Sequence, residues 1–112
     1  MSMPEADKHE WQLDILEMSS ADLAKFEIVD LREGNEDPGR VLNALLMRDI
    51  TRLPLSQVDV DQPPFDRKKQ YLLICQRGAR SADLAASLRG RGWNNVYSLR
   101  DGVEAVRRKF IA

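Results

Sequence analysis

The sequence is poor in the residues that most often carry chemistry. Among 112 residues there is one cysteine and one histidine. A single cysteine cannot close an intramolecular disulfide, and one cysteine with one histidine makes a poor metal-ligand set. Disulfide scaffolds and zinc modules are therefore excluded, and no metal site is expected. No apolar stretch approaches the roughly 18 residues that a membrane span requires, and nothing near the N-terminus reads as the apolar core of a signal peptide. A cytoplasmic protein that does not enter membranes is expected. The formal net charge of −1 lacks the positive excess of a nucleic-acid binder. The chain is also too short for two independent cores, so one domain is expected.

What is present describes an ordinary globular protein, with 43% apolar and 31% charged residues. The near-zero net charge conceals an asymmetry. Residues 1–66 hold 15 acidic and 6 basic side chains, whereas residues 67–112 hold 3 acidic and 11 basic ones. The only cysteine, Cys75, lies in the basic part. Such a division suggests a positive surface that attracts an anion or an acidic partner. The alternative is that the two parts interleave in the fold and their charges mix.

Along the chain, residues 1–11 are expected to be a flexible segment or linker, and residues 12–112 the folded domain. His9 falls in that segment and is a poor catalytic candidate. Gln12 to Met18 alternates apolar and polar residues, which predicts a half-buried strand. Ser19 or Ser20 then caps a short helix through Lys25, with Asp22 in its first turn. Phe26 to Leu31 is a second strand, ended by the charged, Gly- and Pro-containing stretch from Arg32 to Gly39. From Arg40 to Leu55 the pattern is ambiguous. Val41, Leu42, Leu45 and Leu46 fit a helical stripe, while Ile50, Leu53 and Leu55 fit a strand equally well. Residues 55–61 read as one or two helical turns before the Pro63-Pro64 pair.

The last third is clearer. Tyr71 to Cys75 is a continuous apolar run, as a parallel strand buried on both faces requires. A helix follows with Ser81 as its N-cap, Leu84 and Leu88 on one face, and Gly90 or Gly92 at its end. Val96 to Leu99 forms another strand, and Gly102 to Phe110 another helix. Strands alternating with helices in this rhythm predict an α/β sandwich around a mostly parallel sheet. The pentapeptide SADLA occurs at Ser20 and at Ser81, and reads as capping chemistry shared by two helix starts rather than as a repeat.

Cys75 sits where a buried strand meets its loop, at the carboxyl end of the sheet where open α/β folds bind ligands. The next helix aims its unpaired N–H groups and positive dipole end back at this loop. Arg77 and Arg80 add positive charge, and Gly78 permits a tight turn and close approach of the backbone. All of this favours negative charge on sulfur, the nucleophilic form. A lone cysteine ending an apolar strand is otherwise a small buried hydrophobe. A glycine, two arginines and a helix start within six residues favour a chemical role instead. With no base nearby in sequence, a cysteine–histidine pair is not expected. Two chemistries remain: cysteine-dependent phosphatase or arsenate reductase chemistry, and sulfur transfer through a persulfide.

The segment from Leu72 to Val106 resembles the active-site region of the rhodanese family. That family shows a cysteine opening a loop of C-x-x-G-x-R/T type, a helix, and then a G-[WF]-x-x-V-x-x-L-x-x-G segment. The matching residues are Cys75, Gly78, Arg80, Gly92, Trp93, Val96, Leu99 and Gly102. Upstream, Ile28 to Glu33 is similar to the family's D-x-R-E strand end, and Leu53-Pro54-Leu55 to its I-P-L stretch. The resemblance spans residues 26–106. It departs where the family reads G-H-I-P-G-A and this chain has Gly39 to Ala44, and where a common tryptophan is Val106. Phosphatase-type relatives carry C-x5-R, which would place arginine at position 81, where Ser81 stands. The shorter loop favours a persulfide sulfur over a tetrahedral phosphate.

The resemblance implies a three-layer rhodanese-like sandwich, with helices on both faces of the sheet. It implies a sulfurtransferase in which Cys75 carries a sulfane sulfur from a small anionic donor, thiosulfate or a protein persulfide, to a thiophilic acceptor. Gln76, Arg77, Gly78, Ala79, Arg80 and Ser81 would form the binding loop, and Asp30 and Arg32 would support it as a buried ion pair. No cofactor is expected. Domains of this kind often end adenylating enzymes that activate ubiquitin-like sulfur carriers, which makes such a carrier a possible partner. A catalytically idle binding or regulatory domain is the alternative from a different class.

Overall fold

The computed structural model describes residues 10–34 and 41–111. The segment holding His9, and Gly39 and Arg40, lie outside the described residues. Five parallel strands make one sheet in the order β1-β5-β4-β2-β3. The central strand β4 (Tyr71–Ile74) lies between β2 (Glu27–Asp30) and β5 (Val96–Leu99), and β1 (Gln12–Leu13) and β3 (Thr51–Arg52) form the edges. Every residue of β4 is buried, because helices cover both sides. The alternation of side chains sends them to two cores. Ile28, Leu72, Ile74 and Leu99 meet Leu23 of α1 (Ser20–Ala24), Leu42 of α2 (Val41–Leu46) and Val103 and Val106 of α4 (Gly102–Phe110). On the opposite face Val29, Leu73 and Val96 meet Leu84, Ala85 and Leu88 of α3 (Ala79–Arg89). This is the expected three-layer α/β arrangement, with a sheet that is wholly parallel among the described residues.

Two expectations are corrected. Residues 12–18 are not one strand: pairing with β5 ends at Leu13, and Ile15–Glu17 form a 3-10 turn. Asp14 causes the bend, since its side chain accepts from the Leu16 N–H at 2.9 Å. Ile15 is buried and Leu16 is 71% exposed, so the alternating pattern records a turn with one inward residue. Lys109 of α4 clamps this turn by donating to the carbonyls of Ile15 and Met18.

The second correction concerns Ser81, which is not an N-cap. Helix α3 starts at Ala79, after Gly78 with φ +98°, and no side chain of the cap residue bonds to it. The acceptor that a capping serine would supply to the third helical N–H is the cysteine sulfur instead, 3.3 Å from the Ser81 N–H. The two SADLA segments therefore differ in role. One is helix α1 itself, capped by the preceding Ser19, and the other lies inside α3.

The ambiguous region resolves into α2, a turn and the short edge strand β3. The segment after Pro54 makes one 3-10 turn, Leu55–Gln57. Helix α3 ends at Arg89 with Gly90 as its cap, and past Gly92, where φ is +92°, the Trp93 N–H reaches back to the Leu88 carbonyl at 3.0 Å.

Helix α1 yields a test of the local reading. Ser19 Oγ accepts from the Asp22 N–H at 3.1 Å, and Asp22 Oδ2 accepts from the Ser19 N–H at 2.8 Å. The Ser19 backbone N–H, then its hydroxyl and the Lys25 charge, hold the Asp22 carboxyl below the ordinary 3.8. A carboxyl lowered in the folded state stabilises above its unfolded value, and that contribution disappears as pH falls through the lower folded value. Urea midpoints of the parent should therefore drop across that acid range more than those of Asp22→Asn. Ser19→Ala should cost about 1 kcal/mol at neutral pH.

Candidate functional site

The site forms where β4 ends. Cys75 is 1% exposed, and its Sγ accepts from the backbone N–H groups of Gly78 at 3.1 Å and Ser81 at 3.3 Å. Amides of the loop thus converge on sulfur, as in an anion-binding nest. Their direction depends on where the loop carbonyls go. The Cys75 carbonyl accepts from the Val103 N–H at 2.9 Å, and the Gln76 carbonyl from the Glu104 N–H at 3.3 Å. These donors belong to the first turn of α4, whose N–H groups have no partner within the helix. With its carbonyls turned toward α4, the loop is left to present N–H groups to the sulfur.

Two glycines make the approach possible. A Cβ at Gly102, where φ is +59°, would overlap the Cys75 carbonyl oxygen and come within 2.9 Å of the Gln76 carbonyl and the Gly78 nitrogen. At Gly78 a Cβ would lie 2.8 Å from the Asp101 nitrogen. From the sequence, Gly102 is only the start of a helix and the glycine three residues after Leu99. Its packing against the cysteine loop is a tertiary fact that spacing does not express.

Asp30 and Arg32 form the expected buried pair. Arg32 donates through Nε to Asp30 Oδ1 and through Nη2 to Asp30 Oδ2, both at 3.0 Å, in a two-pronged geometry. Arg52 adds a contact from β3, with Nη1 3.6 Å from Asp30 Oδ2. Arg32 Nη1 also donates to Gln76 Oε1 at 3.3 Å, which ties the ends of β2 and β3 to the second residue of the cysteine loop.

The arginines of the loop behave differently from one another. Arg77 is largely exposed and pairs with Glu104 at 3.4 Å, so it stands at the rim of the cavity beside α4. Arg80 lines the cavity above Cys75, together with Gln76, Arg77 and Ala79. That cavity measures about 380 Å³. A larger cavity of about 730 Å³ is lined by Leu23, Leu46, Met47 and Phe110 among others, and Cys75 is not part of it. The charge asymmetry of the sequence is partly mixed by the fold. Arg91 pairs with Asp61, while Arg67 and Arg89 stack over Trp93 and Tyr97 at the end of the sheet remote from Cys75.

One residue of the site was not foreseen. Ser98 of β5 is fully buried, and its Oγ lies 2.7 Å from the Ser81 hydroxyl. Its position in an ordinary strand segment offers no local signal. Among the described residues no group of three or more His, Cys, Asp or Glu side chains is placed to hold a metal ion. No described helix is long and apolar enough to cross a membrane.

The family model of the rhodanese-like domain matches residues 10–109. The chain belongs to the rhodanese-like domain family. Among its relatives is an uncharacterized protein, YqhL, of Bacillus subtilis, 33% identical over 79 residues that make up 70% of this chain and 58% of that protein. A tRNA sulfurtransferase of Tolumonas auensis is 33% identical over 92 residues, 81% of this chain and 19% of that enzyme. The chain thus spans under two thirds of the one and about a fifth of the other. The crystal structure of a rhodanese homologue from Thermus thermophilus shares the fold, with a TM-score of 0.62 and 21% identity over 84% of this chain and 98% of that one.

The rhodanese loop should depend on Gly102 more than on other glycines. Gly102→Ala should lower stability by on the order of 2–4 kcal/mol, since both the positive φ and the backbone overlap oppose a Cβ. Gly34→Ala, with open space around its Cβ position, should change stability by less than about 0.5 kcal/mol. Urea denaturation of the two variants beside the parent checks the contrast.

Proposed function

We propose that this rhodanese-like domain is a sulfurtransferase that carries a sulfane sulfur on Cys75. The observation supporting this most strongly is the pair of backbone N–H groups, from Gly78 and Ser81, held at 3.1 and 3.3 Å from a sulfur at the base of a small cavity. Two fixed donors and the N-terminus of α3 stabilise negative charge there without reorganisation during reaction. A loop of this size accommodates one further sulfur atom. The position at which a phosphatase-type loop would need its arginine is the buried Ser81.

The reaction proceeds in two displacements. Cys75 thiolate attacks the outer sulfur of thiosulfate, the Sγ–S bond forms, and the donor's S–S bond breaks as sulfite leaves with the electron pair. The new persulfide carries its negative charge on the outer sulfur, among the loop amides of residues 76–81. An acceptor thiolate, or cyanide, then attacks that outer sulfur and Cys75 Sγ leaves with the electron pair. Atoms and charge balance in both steps, and no cofactor is used. Because these 112 residues hold no second cysteine, the sulfur passes to an acceptor outside this domain. A ubiquitin-like sulfur carrier and a donor protein persulfide are the macromolecular counterparts of these small molecules. Arg80, at the cavity wall, would attract the anionic donor, while the Asp30–Arg32 pair holds the loop and takes no part in bond making.

Intact-mass measurement after incubation with thiosulfate tests the reading. The parent should gain one sulfur atom, release an equal amount of sulfite, and return to its starting mass when cyanide is added. Cys75→Ser should gain nothing. A parent that takes up no sulfur while Cys75 still alkylates would favour an idle binding domain, and hydrolysis of an aryl phosphate would overturn the argument from loop length.

A further inference from the structure

Behind the sulfur lie two serine hydroxyls that neither displacement uses. Ser81 and Ser98 are both 0% exposed. Ser81 Oγ stands 2.7 Å from Ser98 Oγ, 3.2 Å from the Gly78 carbonyl and 3.5 Å from Cys75 Sγ. A hydroxyl has one proton to donate and two lone pairs with which to accept. Among the described residues Ser98 Oγ bonds only to Ser81 Oγ. A buried donor needs a partner, so the Ser98 proton points at Ser81. One lone pair and one proton of Ser81 are then left for the Gly78 carbonyl and the sulfur.

That remainder matches both charge states of Cys75. When sulfur is a thiol, its S–H donates to Ser81 Oγ, and Ser81 donates to the Gly78 carbonyl. When sulfur is a thiolate, the Ser81 proton turns to Sγ and becomes a third donor beside the Gly78 and Ser81 N–H groups. The Gly78 carbonyl is not orphaned by the turn, since it also accepts from the Ala82 N–H at 3.0 Å. A single O–H rotation therefore serves both states with no buried polar group left unpaired, which is the condition for such a network to stabilise.

We propose that Ser81 and Ser98 form a hydroxyl relay that stabilises negative charge on Cys75 Sγ. In the sulfur-transfer reading, on which its use in turnover rests, Sγ bears that charge twice: as the attacking thiolate and as the group that leaves when the acceptor takes the outer sulfur. Ser81 touches the reacting atom. Ser98 acts through Ser81 and is a positioning residue.

Several charged groups also face the cysteine loop: Arg77 and Arg80 within it, the Asp30–Arg32 pair from β2, and Asp101 and Glu104 from α4. Substituting the serines changes none of these charges, so a shift in sulfur titration isolates the relay. The ultraviolet absorbance of the thiolate, after subtraction of the same titration of Cys75→Ser to remove the tyrosinate signal of Tyr71 and Tyr97, reports Cys75, because it is the only cysteine. In Ser81→Ala/Ser98→Ala, where neither hydroxyl leaves the other unpaired, the pH midpoint of thiolate formation should rise by about one unit, equivalent to a tenfold smaller thiolate fraction below the midpoint. Ser98→Ala alone should move it the same way by less, and Ser98→Thr, which keeps the hydroxyl, should retain the parent midpoint. An unchanged midpoint in the folded double variant overturns the relay. Should that variant not fold, an unchanged midpoint in Ser98→Ala does the same. Sulfur uptake from thiosulfate, measured on the same samples, is read separately: its absence in the parent counts against transfer, while the titration still decides the relay.

Discussion

The contact on which the site depends is the docking of the α4 N-terminus against the carbonyls of Cys75 and Gln76. A loop leaving a buried strand has donors and acceptors in equal number, and left to itself would not present one kind alone to a ligand. Val103 and Glu104 N–H groups take up two loop carbonyls, and the neighbouring N–H groups of Gly78 and Ser81 are thereby free to converge on sulfur. The unpaired donors of one helix set the direction of the loop, and the unpaired donors of the next helix, α3, complete it. The close approach is permitted because residue 102 has no side chain.

The rest of the fold holds this contact in place. The parallel sheet puts the ends of β2, β4 and β5 side by side, so that Asp30 of β2, Cys75 just after β4 and Ser98 of β5 are brought together. The Asp30–Arg32 pair is buried and met by Arg52, and through Gln76 it reaches the cysteine loop from the side opposite β5. Removing one partner of such a pair strands a buried charge, at a cost of about 3–5 kcal/mol. The pair is thus a fixed anchor to which the side chain of Gln76 is tied.

What could be read from the chain follows from where the information lies. The central strand Tyr71–Ile74 is a run of apolar residues, and helix α3 shows its Leu84–Leu88 stripe and closing glycines over a short window, so both were legible, as was the span of α4 from Gly102 to Phe110. So was the cysteine loop, whose residues are contiguous. Residues 12–18 misled because a turn with one buried residue imitates the alternation of a strand, and the Asp14 bond that makes the difference is too local for a periodicity to express. Ser81 misled for the opposite reason. Serine before a helical run looks like a cap, but a sulfur six residues earlier takes the capping position and leaves the hydroxyl to face β5. Ser98 and the packing of Gly102 were not legible, since each acquires its meaning from a neighbour distant in sequence.

The central claim is that the Gly78 and Ser81 amides hold the charge that sulfur acquires. Backbone amide resonances followed by nuclear magnetic resonance, as Cys75 is loaded with sulfane sulfur and then discharged to a thiol, test it most directly. The Gly78 and Ser81 amide protons should shift on loading and return on discharge, while amides at the opposite end of the sheet, such as Asn94 and Asn95, stay in place. A fully loaded protein in which the Gly78 and Ser81 resonances do not move would contradict it.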